Sequence, residues 1–152
     1  MPMPWTYRHA GKEWRAFLDD AKERMSLDSD NMTYTAIDAV FQVFRRRLTA
    51  QQGLDFAGVL PSIPRAIFVA GWSVSEPPEP FEDREAMIKE AKRVRVNHNL
   101  TPDNAIEAVG YALRRSVNQR DFDRILEKLG PDAEAFWHVA VDDPKELEQR
   151  IV

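Results

Sequence analysis

Apolar residues return at helical intervals along almost the whole chain. Trp14, Phe17, Leu18, Ala21 and Met25 fall at i, i+3, i+4, i+7 and i+11, which is one face of an α-helix. Ile37, Val40, Phe41, Phe44 and Leu48 repeat that spacing. No period-2 alternation bounded by turn residues is sustained, so strands are not expected. The pattern predicts an all-α fold.

Helix boundaries can be read from short polar signals. Asp28 with Asn31, Thr49 with Gln52, and Asn118 with Asp121 each predict a helix start. In each pair the first side chain can accept an orphan N–H of the opening turn. Thr101-Pro102, and Ser62 ahead of Pro64, read as starts with proline in the first turn. Gly130-Pro131 reads as a stop, with the glycine in the left-handed conformation. From Ser73 to Pro80 the chain runs Ser-Val-Ser-Glu-Pro-Pro-Glu-Pro. Proline removes a donor and restricts the residue before it, so this stretch predicts a stiff connector.

The two sides of the connector match. Ala36-Ile37-Asp38-Ala39-Val40 corresponds to Ala105-Ile106-Glu107-Ala108-Val109 at an offset of 69 residues. The same offset sets Phe44 on Leu113, Arg45-Arg46 on Arg114-Arg115, Leu48 on Val117, Leu60 on Leu129, Ala66 on Ala135 and Phe68 on Trp137. With one loop residue gained, Phe17-Leu18 and Ala21 fall on Met87-Ile88 and Ala91. Ordered agreement over a whole half points to an internal duplication. The expected organisation is a flexible tail over 1–10, a first helical half over 11–72, the Pro-rich connector over 73–82, a second helical half over 83–141 and a short C-terminal helix over 142–152, with the two related halves packed as one domain.

The first half ends Leu60-Pro61, then Arg65-Ala66-Ile67-Phe68-Val69-Ala70-Gly71-Trp72. Together with the Trp14-Phe17-Leu18 helix and the Ala36–Leu48 helix, this tail resembles a prokaryotic family known as domain of unknown function 2267. The resemblance runs from about Gly11 to Ala140. It implies a two-lobed all-α fold with a globin-like arrangement of helices, and it implies no activity. The second half departs from the pattern at Leu129-Gly130-Pro131 and lacks the Gly-Trp ending.

Composition narrows the chemistry. The 152 residues include no Cys and three His. That excludes disulfides, thiol nucleophiles and thiolate metal sites. No Gly-x-Ser-x-Gly elbow, Gly-x-Gly-x-x-Gly loop or Walker-type loop is present. His138 and Asp142 stand four apart but flank a bend, and no third metal ligand is visible. His9 falls in the expected tail and His98 in the polar turn Asn97-His98-Asn99. No His sits on an apolar helix stripe where a haem would need its ligand. No cofactor or metal is therefore expected. The carboxylates Asp19-Asp20 with Glu23, and Glu82-Asp83 with Glu85, read as solvated acidic faces. A net charge of −4, from 21 basic and 25 acidic residues, argues against nucleic acid. No apolar run is long enough to cross a membrane. The opening Met1-Pro2-Met3-Pro4-Trp5 lacks the plan of a secretory signal, so a cytoplasmic location is expected.

Three residues remain as a candidate interaction surface. On a helical wheel with ~100° per residue, Arg46 falls opposite Ile37 and Arg115 opposite Ile106. Both are therefore expected to face solvent at matched positions; the ordinary reading is that they complement the helix C-terminal dipole and add solubility, and the sharper one joins them with Lys89, Lys92 and Arg93 in a basic patch. Arg45 and Arg47 fall on the flanks, their stems covering core edges. Trp72 is expected either in the joint between halves or as an exposed aromatic anchor. The resulting expectation is a non-enzymatic helical protein acting through a protein partner or as a homo-oligomer. The alternatives are a small apolar ligand held between the halves by Trp72, Phe68 and Phe41, or a phosphate backbone gripped by the matched arginines.

Overall fold

A computed structural model describes residues 1–95 and 100–152. Among the described residues the elements are all helical: α1 (Trp5–Arg8), α2 (Ala10–Met25), α3 (Asp30–Arg45), α4 (Ala50–Ala57), α5 (Ser62–Val69), α6 (Arg84–Lys92), α7 (Ala105–Ser116), α8 (Gln119–Leu129), α9 (Pro131–Phe136) and a 3-10 turn (Pro144–Leu147).

Local chemistry sets most of the helix starts. Thr49 and Gln52 form the reciprocal capping box, Gln52 N–H to Thr49 Oγ1 at 3.2 Å and Thr49 N–H to Gln52 Oε1 at 2.9 Å. Asn118 Oδ1 accepts the Asp121 N–H at 3.1 Å. Asp83, one of the carboxylates expected on a solvated face, caps α6 by accepting the Ala86 N–H at 2.8 Å.

Other boundaries differ from the sequence expectation. Ser29 rather than Asp28 caps α3, because its extended backbone aims Oγ at the Met32 N–H, 3.3 Å away. Thr101-Pro102 opens a turn instead of a helix: Pro102 O accepts the Ala105 N–H at 3.1 Å, and α7 begins at Ala105. Gly130 has φ 106° and ψ 175°. The positive φ favours glycine, but the residue before a proline is pushed to extended ψ, so it is not left-handed helical.

Both ends of the chain depart from what was expected. Residues 5–8 of the expected tail form α1, and Thr6 there does the work of a cap for α5. Pro61 precedes α5 with no side-chain acceptor, so the Ser62 N–H donates to Thr6 Oγ1 at 2.8 Å, and Ser62 Oγ donates to Thr6 O at 2.9 Å. After residue 142, Asp143 caps only the 3-10 turn, through the Lys145 N–H at 3.0 Å. The 148–152 segment is not helical.

The helices recur in order. α4 and α8 begin at Ala50 and Gln119, and α5 and α9 at Ser62 and Pro131, each 69 residues apart. Part of the packing follows the same correspondence, although α2 with α3, α2 with α5 and α3 with α5 pack without an equal counterpart among the described residues. α2 lies along α7, α6 lies along α3, α3 meets α7 and α4 meets α8. Exchanging α2 with α6 and α3 with α7 maps these contacts onto themselves, which is the self-complementarity of a two-fold interface. α3 buries Ala36, Ile37, Ala39, Val40, Phe41, Val43 and Phe44, almost its full circumference, as expected for a helix covered on several sides.

Aromatic rings from both halves fill the centre. Phe44 lies 4.8 Å from Phe56, 4.9 Å from Phe136 and 5.0 Å from Trp137 between ring centroids. Phe81, at the end of the connector, packs between Phe44 and Phe136 at 6.2 and 6.4 Å. Ring sizes compensate between halves. Phe41 meets Phe68 edge-on at 5.6 Å; at the corresponding positions Gly110 faces the larger Trp137. Gly53 leaves room for the Trp72 ring, and Phe122 stands at the corresponding position of the second half.

A Cβ on Gly53 would sit 2.0 Å from Trp72 Cη2, whereas a Cβ on Gly11 would meet nothing within 4 Å. Gly53→Ala is therefore expected to lower stability by about 1–3 kcal/mol through overpacking. Gly11→Ala should be neutral or stabilising by up to about 1 kcal/mol. Urea unfolding followed by circular dichroism compares the two; equal midpoints would contradict the packing of Trp72 on Gly53.

Candidate functional site

The arginine runs place the polar chemistry. α3 ends at Arg45, and Arg46 is its C-cap with helical φ -63° and ψ -20°, so its direction still follows the wheel and its engagement comes from α6 packing against α3. Arg45 is 7% exposed. It donates to the carbonyls of Phe68 and Ala70, both at 2.9 Å, closing orphan acceptors at the end of α5. Burial pushes its pKa down, opposed in part by the Asp38 carboxylate. Arg47 is 5% exposed. It donates to Val43 O at 2.8 Å, to Pro80 O in the connector at 3.2 Å, and to Glu90 Oε2 on α6 at 2.6 Å. Arg46 meets the other oxygen of Glu90 at 3.2 Å. One carboxylate on α6 thus holds two guanidinium groups from the end of α3.

The second half has its own version. Arg115 Nε donates to Asp20 Oδ2 on α2 at 3.1 Å, and its Nη1 donates to Glu146 O at 3.1 Å. Arg150 donates to the same Asp20 oxygen. The correspondence covers one arginine and the carboxylate. Arg46 maps to Arg115 at 69, and Asp20 maps to Glu90 at the 70-residue offset of the first helices. Position 116, where a counterpart of Arg47 would stand, is Ser. Arg150 supplies the second guanidinium from elsewhere in the chain.

This corrects the expected solvent-facing basic patch. Arg46 and Arg115 are partly buried and ion-paired, their side chains 33% and 20% exposed. Lys89 pairs with Glu85 at 3.6 Å and Lys92 with Asp103, while Arg93 is exposed. Asp20, expected on a solvated acidic face, is 6% exposed. The wheel of α2 reports only that helix's own stripe, whereas Arg115 of α7 and Arg150 cover Asp20 from outside it. The offset that sets Ala21 on Ala91 also sets Asp20 on Glu90, so the sequence carried a signal for both carboxylates. Nothing in it marked Arg150 or Thr6.

Trp72 is half-buried. Its ring rests on Gly53 and lies edge-on to Phe68 at 5.7 Å, both in its own half. Phe41 and Phe68, the other expected pocket walls, are fully buried. Phe41 also meets Trp137 of the second half at 6.4 Å.

His138 and Asp142 are exposed beyond α9, and His9 packs on the Trp5 ring at 3.8 Å. The expectation for His98 lies outside the described residues. Among the described residues no three metal-ligating side chains converge. No helix there is long and apolar enough to cross a membrane.

A family model described as "Uncharacterized conserved protein (DUF2267)" matches residues 14–136. The chain belongs to that family, whose description assigns no activity. None of the curated proteins matches the chain.

Asp20→Ala leaves Arg115 and Arg150 facing a vacancy at a nearly closed site and is expected to cost about 1–3 kcal/mol. Arg46→Ala should cost less, because Glu90 keeps Arg47. A double-mutant cycle on Arg115 and Asp20 should show coupling; independent effects would contradict the clamp.

Acid sensitivity arises at two surface carboxylates. Hydrogen bonds from Arg15 and then Lys22 hold Asp30 well below the usual carboxylate range, and one from Lys128, aided by Gln51, lowers Asp55. A carboxylate depressed in the folded state stabilises it above the unfolded value of about 3.9, and loses that contribution as pH falls through the folded value. Asp30→Asn is expected to make stability less dependent on pH below about 4, as measured by thermal melts across pH.

Proposed function

We propose that this protein is non-enzymatic and works through contacts with other protein chains, self-association being the case to test first. The observation that carries the reading is a pair of exposed rings on a fixed platform. Trp5 and Tyr7 are 53% and 54% exposed on either side of Thr6, which is bonded to Ser62. The Arg65 guanidinium reaches the Tyr7 hydroxyl at 3.5 Å. Large aromatic side chains held in place lose little entropy on binding and are enriched at contact sites. The matched arginines and the central rings, by contrast, are engaged within the chain.

We also read the chain as a duplicated helical unit. The 69-residue recurrence of helix starts and the reciprocal Arg46–Glu90 and Arg115–Asp20 pairs support this. A cytoplasmic location fits a chain without cysteine.

Sedimentation velocity over a concentration series tests the leading reading. The wild type is expected to associate as concentration rises, and Trp5→Ser/Tyr7→Ser to remain monomeric with an unchanged melting temperature. A wild type that stays monomeric throughout removes the self-association reading.

A further inference from the structure

The last carbonyls of a helix need donors from outside it. At the end of α3, Arg46 O accepts the Glu79 N–H of the connector at 3.0 Å. At the end of α7, the corresponding Arg115 O accepts the Arg150 N–H at 2.8 Å. The connector segment joins α5 to α6 in the chain. The strand against α7 is the 148–152 segment, and it lies outside the family match at 14–136. Glu148, Gln149 and Ile151 are exposed. Among the described residues, the hydrogen bonds from this segment to α2 and α7 come from one residue: the Arg150 N–H on Arg115 O, and its guanidinium on Asp20 and on Ala16 O at 3.3 Å.

The receiving surface is a shallow groove between α2 and the end of α7, where Glu13, Ala16, Arg115 and Ser116 lie beside Arg150 and Val152. It is acidic on the α2 side. Asp20 is buried there, and Glu13 Oε1 is buried with no hydrogen-bond partner among the described residues. The groove therefore offers a backbone acceptor, a buried carboxylate for a guanidinium, and a second carboxylate oxygen to spare.

We propose that this groove is a docking site for an extended, arginine-bearing segment of another protein chain, and that residues 148–152 occupy it as an intramolecular competitor. The partner's arginine takes the place of Arg150, with its N–H on Arg115 O and its guanidinium on Asp20. A tethered competitor acts at an effective concentration of about 1 mM, so an outside segment enters readily only once Arg150 is displaced. The inference rests on the reading of the protein as one that works through chain contacts, but it uses a different surface from Trp5 and Tyr7.

The test uses the full chain and a fluorescent peptide of its own sequence, Asp142 to Val152, followed by anisotropy. Arg150→Glu sets a carboxylate against Asp20 and releases the strand. The peptide is expected to bind R150E at least about 10-fold more tightly than wild type, and adding Asp20→Asn to R150E should abolish that binding. Arg150→Ala is the milder variant should R150E melt early, and should show the same order of affinities. A peptide carrying glutamate in place of its arginine should not bind. No binding to either variant, or binding equal to that of the wild type, overturns the proposal. Such a failure leaves concentration-dependent association through Trp5 and Tyr7 untouched, so the two readings fail separately.

Discussion

A carboxylate withdrawn from water costs several kcal/mol unless guanidinium groups and further hydrogen bonds surround it. Asp20 on α2 and Glu90 on α6 both meet that condition by reaching across to the other half of the chain. Each carboxylate takes two arginines, and each arginine set also grips backbone. Arg47 holds Pro80 O in the connector, and Arg115 holds Glu146 O after the 3-10 turn. The two clamps thereby fix α2 on α7 and α6 on α3, and with them the paths of both segments that follow a half. Asp20 completes its set only because Arg150 returns from about 130 residues away.

Between the clamps, ring volume sets how closely the halves approach. Phe41 with Phe68 on one side, and Gly110 with Trp137 on the other, distribute bulk differently over the same pair of positions. Close packing makes such exchanges interdependent, since an interior tolerates neither a void nor a clash without cost. Trp72 on Gly53 is a further case, in which the glycine is set by the approach of a ring rather than by backbone conformation. The same filling sets Phe41 and Phe68 against other aromatic rings.

The arginines most suggestive of a phosphate grip are committed to Glu90 and Asp20. Trp5 and Tyr7 stay exposed while Thr6 between them is anchored, and a strand held chiefly by one arginine lies along α2 and α7. Both features, at residues 5–7 and 148–152, lie outside the family match at 14–136.

The sequence by itself determined the all-helical class and the principal helices between Trp14 and Leu129. These depend on spacing and capping within a few residues: the Trp14–Met25 and Ile37–Leu48 stripes, the Thr49–Gln52 box and the Asn118 cap are all local. It also held, in the 70-residue offset, the correspondence of Asp20 with Glu90. Tertiary structure alone decided which polar residues are buried. A helical wheel shows a residue's side of its own helix, whereas the burial of Asp20 depends on α7 and Arg150, and that of Arg47 on α6 and the connector. Likewise Thr6 caps α5 and Arg150 completes a clamp because packing, not sequence distance, brings a donor within 3 Å of an acceptor.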